Sequence, residues 1–219
     1  MAARFVPVVM AVAVLTSGCL RKDTAETWYV GPQGAVTWVV TESDVRSDAQ
    51  SADDRQTEET TYRLAFERQD QPVARGLREL GLDDIRTTVV RTEVPFTVRT
   101  EGKGLTIDVL GVHIITRAGL SGLSTLEHDG DVWTWKFSAR DPHAPDATSK
   151  LDDDLSSVLN DLDSLKVVLI DGRFQSATGF TLSDDNRVAT IIANDHSAPN
   201  GADDSTMVLE LNWVSATTQ

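Results

Sequence analysis

Side chains alternate across a strand and return every three or four residues along a helix, so the spacing of apolar positions divides this chain into short elements. Trp28–Val30 and Val36–Val40 are rich in strand formers, and Gly31-Pro32-Gln33-Gly34 between them has turn chemistry, which predicts a hairpin. Ser47-Asp48-Ala49-Gln50 reads as a capping box, with Asp48, Asp53 and Asp54 where a helix dipole favours negative charge, so a helix is expected from Ser47. Ala49, Ala52, Tyr62, Phe66, Val73, Leu77 and Leu80 fall near one helical stripe. Pro72 has no N–H and clashes with a preceding turn, so it is placed at the start of a second helix ending at Gly81. Ile85–Arg91 and Phe96–Thr100 read as strands, the second entered through Pro95. Leu105–Ala118 contains many β-branched residues, but its length, Arg117 near its end and Gly119 just beyond favour a helix.

In the second half, Leu123–Glu127 and Val132–Ser138 flank an Asp129-Gly130 turn, a hairpin signal that puts Trp133, Trp135 and Phe137 on one face. Residues 140–150, with Pro142 and Pro145, read as a sub-boundary or a long loop. Leu151, Leu155, Val158, Leu159 and Leu162 describe a short amphipathic helix. Leu165–Ile170, Gly179–Leu182, Arg187–Ile192 and Thr206–Val214 read as strands. Neighbouring strands joined by short turns imply antiparallel pairing. The expected fold is α+β, an antiparallel sheet or sheets with about three helices packed on one face, formed by 27–219 as one domain. Regular βαβ alternation is missing, which argues against a doubly wound parallel sheet.

The first 18 residues stand apart from this pattern. Arg4 and the N-terminal amine supply a positive n-region, Phe5–Leu15 is an apolar run interrupted by Pro7, and Thr16-Ser17-Gly18 are small. A bilayer-spanning helix needs about 20 apolar residues, so the run is too short to be a permanent span. The next residue, Cys19, is the single cysteine of the chain. Leu15-Thr16-Ser17-Gly18-Cys19 resembles the lipobox of bacterial lipoproteins, with Thr16 where leucine is usual and Leu15 one place early. The resemblance implies that 1–18 are removed as a signal peptide and that Cys19 is lipidated and becomes the N-terminus. Residues 19–26 are then expected to be a lipidated, polar tether. Leu20 after the cysteine, rather than aspartate, implies by the same analogy an outer-membrane anchor facing the periplasm.

Charge narrows the partners. The chain carries a net charge of −14, and loss of the signal, whose one charged side chain is Arg4, makes it −15. So acidic a body repels polyphosphate, which disfavours nucleic acid, and it repels anionic lipid as well, so it is expected to stand off the membrane. With Cys19 committed to lipid, no internal disulfide and no cysteine nucleophile remain.

Candidate chemistry is sparse. Gly119-Leu120-Ser121-Gly122-Leu123 breaks the Gly-x-Ser-x-Gly spacing of a nucleophile elbow. His113, His128, His143 and His196 are scattered without zinc-ligand spacing, and Asp152–Asp154, Asp184–Asn186 and Asp203–Asp204 fit no EF-hand loop, so no metal and no cofactor is expected. No phosphate-cradling glycine loop is present. Trp28, Trp38, Trp133, Trp135 and Trp213 all fall in predicted strands and read mainly as core. The candidates for a binding surface are Trp133 and Trp135, which could stack on a sugar or a partner, and the charged run containing Glu42, Asp44 and Arg46 ahead of the first helix. The expected function is a non-catalytic binding or interaction domain, lipid-anchored in the envelope, with an envelope protein or glycan as partner. The alternatives are a glycan-directed hydrolase, with carboxylates and Trp133/Trp135 lining a cleft, and a structural envelope subunit.

Overall fold

Alternating apolar positions do produce a hairpin at the start of the chain, and it lies at the middle of the larger sheet. The computed structural model describes residues 20–140, 165–191 and 206–215. Its elements are β1 Leu20–Val30, β2 Ala35–Ser47, α1 Ala52–Glu67, α2 Pro72–Glu79, β3 Asp83–Arg91, β4 Phe96–Thr106, α3 Ile107–Arg117, β5 Ser121–Asp129, β6 Val132–Arg140, β7 Lys166–Leu169, β8 Arg173–Thr178, β9 Thr181–Leu182, β10 Val188–Thr190 and β11 Thr206–Val214. One sheet has seven strands in the order β3-β4-β2-β1-β7-β10-β9, and a second has four in the order β5-β6-β11-β8.

The α+β class is as expected, and strand dominates it. The all-antiparallel expectation is corrected at one place: Thr27–Val30 of β1 pair in parallel with Lys166–Leu169 of β7, so the large sheet is mixed. Turn chemistry specifies only neighbours in sequence, and β7 returns after more than a hundred residues, free to enter from either end. The picture of helices as the cover of a sheet is also corrected. Over β1, β2 and β7 the cover is the second sheet. Trp28, Val30, Val36, Trp38, Val40, Val167 and Leu169 form one core with Trp135, Phe137, Leu209, Leu211 and Trp213. The rings of Trp28 and Trp135 meet across the two layers with centroids 6.2 Å apart. At the other end of the large sheet, α1 contributes Tyr62 and Phe66 to a smaller core with Val45, Phe96 and Val98.

The segment 105–118 is a helix, α3, because its apolar residues bury with helical spacing: Ile107, Leu110, Gly111, Ile114 and Ile115. Pro72 does begin α2, and Gly81 follows that helix at φ +85°, a left-handed position open to glycine. Two expectations near the N-terminus are overturned. The polar tether over 20–26 is instead the first half of β1, paired from Leu20↔Ser47 onward. The first helix starts four residues later than its capping box suggests. Ser47 closes β2, and Ser51 is the cap, its side chain accepting from the Asp54 N–H. Both serines offer the same hydroxyl, and strand pairing claims the first. β8, with its polar run Arg173-Phe174-Gln175-Ser176, went unanticipated; only Phe174 in it is buried. The expected helix at 151–162 and the sub-boundary within 141–150 lie outside the described residues.

Candidate functional site

The site is built where β2 changes its register. Trp38, Val40 and Glu42 follow the alternation that faces the core, and strict continuation would point Asp44 inward. Asp44 instead adopts φ +53°, and the pairing with β4 slips between Glu42 and Val45. The bulge turns Val45 into the apolar core and leaves Asp44 outside, where it pairs with Arg46 at 3.2 Å. Glu42 stays inside. Its side chain is 3% exposed and accepts from Lys22 Nζ at 2.6 Å. Lys22 comes from a matching slip in β1, between Arg21 and Asp23. Isolated burial of a carboxylate would be costly, and the ammonium offsets that cost.

Two further groups face this pair. Tyr62 reaches in from α1. Its burial first, and then the negative charge of Glu42, push the phenol far above its ordinary value. The Tyr62 hydroxyl is buried and makes no hydrogen bond of regular geometry. The second group is Glu26, buried on the same face of β1; the pairs Thr24↔Glu42 and Glu26↔Val40 make Glu26 and Glu42 diagonal neighbours, about 7 Å apart. Ser47 ties α1 to the same corner. Its Oγ donates to Glu58 and accepts from the Ala49 N–H at 3.1 Å. The arrangement fastens the first residues of β1 to β2 and α1. It leaves Glu26 and Glu42 as diagonal neighbours on the core face of the sheet, with Tyr62 of α1 against Glu42.

Trp133 and Trp135 lie elsewhere, on β6 of the second sheet. Trp135 is 1% exposed and donates from Nε1 to the Ser124 hydroxyl at 3.0 Å. Trp133, at the hairpin end, is half-buried, stacked between His128 at 4.1 Å and Trp213 at 6.4 Å between centroids. The structure therefore divides the charged run, with Glu42 inside and the Asp44–Arg46 pair outside, and it places the two tryptophans apart from all three on another sheet. Sequence reasoning missed Lys22, Glu26 and Tyr62. The clue to the first two was the alternation Glu26, Trp28, Val30, which extends the strand backwards past Trp28.

The other candidates resolve into local structure. His113 bonds the Leu80 carbonyl at the end of α2. In Asp184-Asp185-Asn186, Asp185 accepts from the Ser183 hydroxyl at 2.6 Å and from the Arg187 N–H at 3.1 Å, and these two bonds, in that order, hold its carboxyl below the usual range. His143, His196, Asp152–Asp154, Asp203–Asp204 and Cys19 lie outside the described residues. Among the described residues, no group of three or more His, Cys, Asp or Glu could hold a metal ion. No helix among them is long and apolar enough to cross a membrane. A shallow depression at Asp171, Gly172, Arg173, Arg187, Val214 and Ser215, and another against Ser121, Leu123, Ser138, Arg140 and Thr206, are lined by neither the Glu26–Glu42 pair nor the tryptophans.

No protein-family model matches the chain. No curated protein sequence matches it either. Among solved structures, the chain is similar to the folded domain of the LppM protein of Mycobacterium tuberculosis, determined by NMR: 10% identity over 94% of this chain and 96% of that one, with a TM-score of 0.37. A likeness at that score establishes neither a common fold nor a common function.

Proposed function

We propose that the chain is a cell-envelope lipoprotein, anchored through lipid on Cys19 and held on the periplasmic side of an outer membrane, whose domain binds a protein or envelope component without catalysing a reaction. The observation that carries the reading is the lone cysteine, after an apolar run and three small residues, immediately before the first residue of a folded strand. Two or more acyl chains on Cys19 would hold the protein durably, since each buried methylene contributes about 0.8 kcal/mol. A binding role is favoured over glycan hydrolysis because Trp135 lies in the core, which takes half the aromatic platform away from a cleft.

The test is the intact mass of protein extracted from membranes, wild type against Cys19→Ala. The expected result is a diacylglycerol-sized mass on the wild type, with both that mass and membrane retention lost in the variant. An unmodified Cys19 would end the lipoprotein reading. Cross-linking of the purified domain in envelope extracts addresses the binding role, and capture of no protein or glycan would count against it. A structural subunit, as the remaining alternative, would reveal itself by loss of outer-membrane integrity on deletion.

A further inference from the structure

We infer that the end of the seven-stranded sheet where β1 begins rests on the bilayer that holds the anchor, with Val90 and Val94 as its apolar contact. The inference rests on the lipid anchor at Cys19 proposed above.

Consecutive Cα atoms are about 3.8 Å apart, so Cys19 is one peptide unit from Leu20. Leu20 is no part of a free tether. It is paired with Ser47, Arg21 is paired with Arg46, and the ion pair of Lys22 with the buried Glu42 fastens the next residue. A free tether over 20–26 would have allowed the domain to stand off by about 25 Å. With those residues in the sheet, that reach is gone, and an anchored Cys19 brings this end of the sheet to the lipid surface.

Register identifies what else lies there. Val45 pairs with Phe96 and Arg91 with Thr97, so the end of β2, the end of β3, the turn at 92–95 and the start of β4 share the end at which β1 starts. Val90 sits where the β3–β4 register slips and is 63% exposed; Val94 in the turn is 43% exposed. Both are apolar and β-branched, next to a membrane anchor. The charges at this end are mixed: Arg21, Lys22, Arg46, Arg55, Arg63 and Arg91 against Asp23, Glu42, Asp44, Asp48, Asp53, Asp54, Glu58, Glu59 and Glu93, with Arg55 bonded to the Ala49 carbonyl and Arg63 over the Phe96 ring. Lys22 and Arg46 are already paired with Glu42 and Asp44. The acidic side chains leave no net attraction for anionic lipid, so the contact is with the headgroup–acyl boundary of a membrane the anchor has already engaged.

The opposite end supplies the control. Ile170 is 47% exposed, and its N–H bonds the carbonyl of Val30, the last residue of β1. That places it about 30 Å along the strand from Leu20. Val90→Cys, Val94→Cys and Ile170→Cys are each made in the full chain, labelled with an environment-sensitive fluorophore at the new thiol, and reconstituted in phosphatidylcholine vesicles carrying a lipid-borne quencher. The expected result is a blue shift at 90 and 94, quenching several-fold stronger than at 170, and little change when anionic lipid is added. Equal quenching at all three positions, or stronger quenching at 170, in protein that floats with the vesicles and has the lipidated mass overturns the orientation alone. Protein that neither floats nor carries lipid overturns the anchor and the orientation together.

Discussion

At the scale of single residues, the buried corner around Glu42 has an energetic signature that can be measured. Tyr62 holds its proton more tightly in the folded chain than in the unfolded one, where the phenol titrates near its ordinary value of 10.0. The stability linked to this shift is fully present below about pH 10 and falls as pH rises further, because the unfolded state loses its proton first. Tyr62→Phe removes that dependence. It also removes a buried hydroxyl that faces the Glu42 carboxylate without a hydrogen bond of regular geometry, so little hydrogen-bond energy is lost in exchange. The expected outcome is an unfolding midpoint at pH 7 equal to or above wild type, and a smaller decline between pH 10 and 11 in urea titrations. A midpoint well below wild type at pH 7 would mean that the hydroxyl contributes a bond to Glu42. None of this corner was visible in the sequence beyond Glu42, Asp44 and Arg46 as a charged run. Which of them is buried depends on one left-handed residue, Asp44, whose backbone choice follows from the competition of Val45 for the core.

At the scale of elements, α3 shows how a helix of β-branched residues is held in place. Glycine inside a helix normally costs about 1 kcal/mol against alanine. Gly111 is there because α3 lies close against β5 and β6: a Cβ at this position would collide with the Ser124 hydroxyl and come within 3.2 Å of the Phe137 ring. Ser124 is itself fixed by the Trp135 Nε1 bond. Gly111→Ala should therefore destabilise the protein by about 1–3 kcal/mol through overpacking. Gly76, in α2, faces open space, with no atom within 4 Å of where a Cβ would stand, and Gly76→Ala should stabilise by about 0.4–1 kcal/mol. Urea midpoints that move in opposite directions for the two variants would bear this out. The helix itself was legible from the spacing of Ile107, Leu110, Ile114 and Ile115 and from Gly119 beyond its end. The glycine's role was not, because how closely α3 lies against β5 and β6 is decided by packing between elements.

At the scale of the molecule, the two sheets are completed by strands far apart in the chain. β1 pairs with β7, and β6 pairs with β11. The main core draws on both halves, from Trp28 and Trp38 to Leu211 and Trp213. A chain ending at residue 140 would leave Trp28, Val30, Trp135 and Phe137 without their partners from β7, β8, β10 and β11. Such a fragment is expected not to fold, and the full domain is expected to lose tryptophan fluorescence and far-ultraviolet circular dichroism in one coincident transition. A truncated chain with a cooperative transition of its own would show that the first half is an independent unit.

Local chemistry by itself determined much of this protein. Gly31–Gly34 and Asp129-Gly130 dictate their hairpins because a turn acts over four residues. Pro72 and Gly81 bound α2 because each restricts or frees the backbone at its own position, and Leu15–Cys19 proposes an address because such a signal is read in extended sequence. The tertiary structure alone decided what depends on distant partners. It made Leu20–Glu26 a strand, since those polar residues gain their hydrogen bonds only from the far end of β2. It chose Ser51 over Ser47 as the helix cap, aligned β7 parallel to β1, and buried Glu42 while exposing Asp44. In each case the local preference was weak or shared between two positions, and burial against a remote part of the chain made the choice.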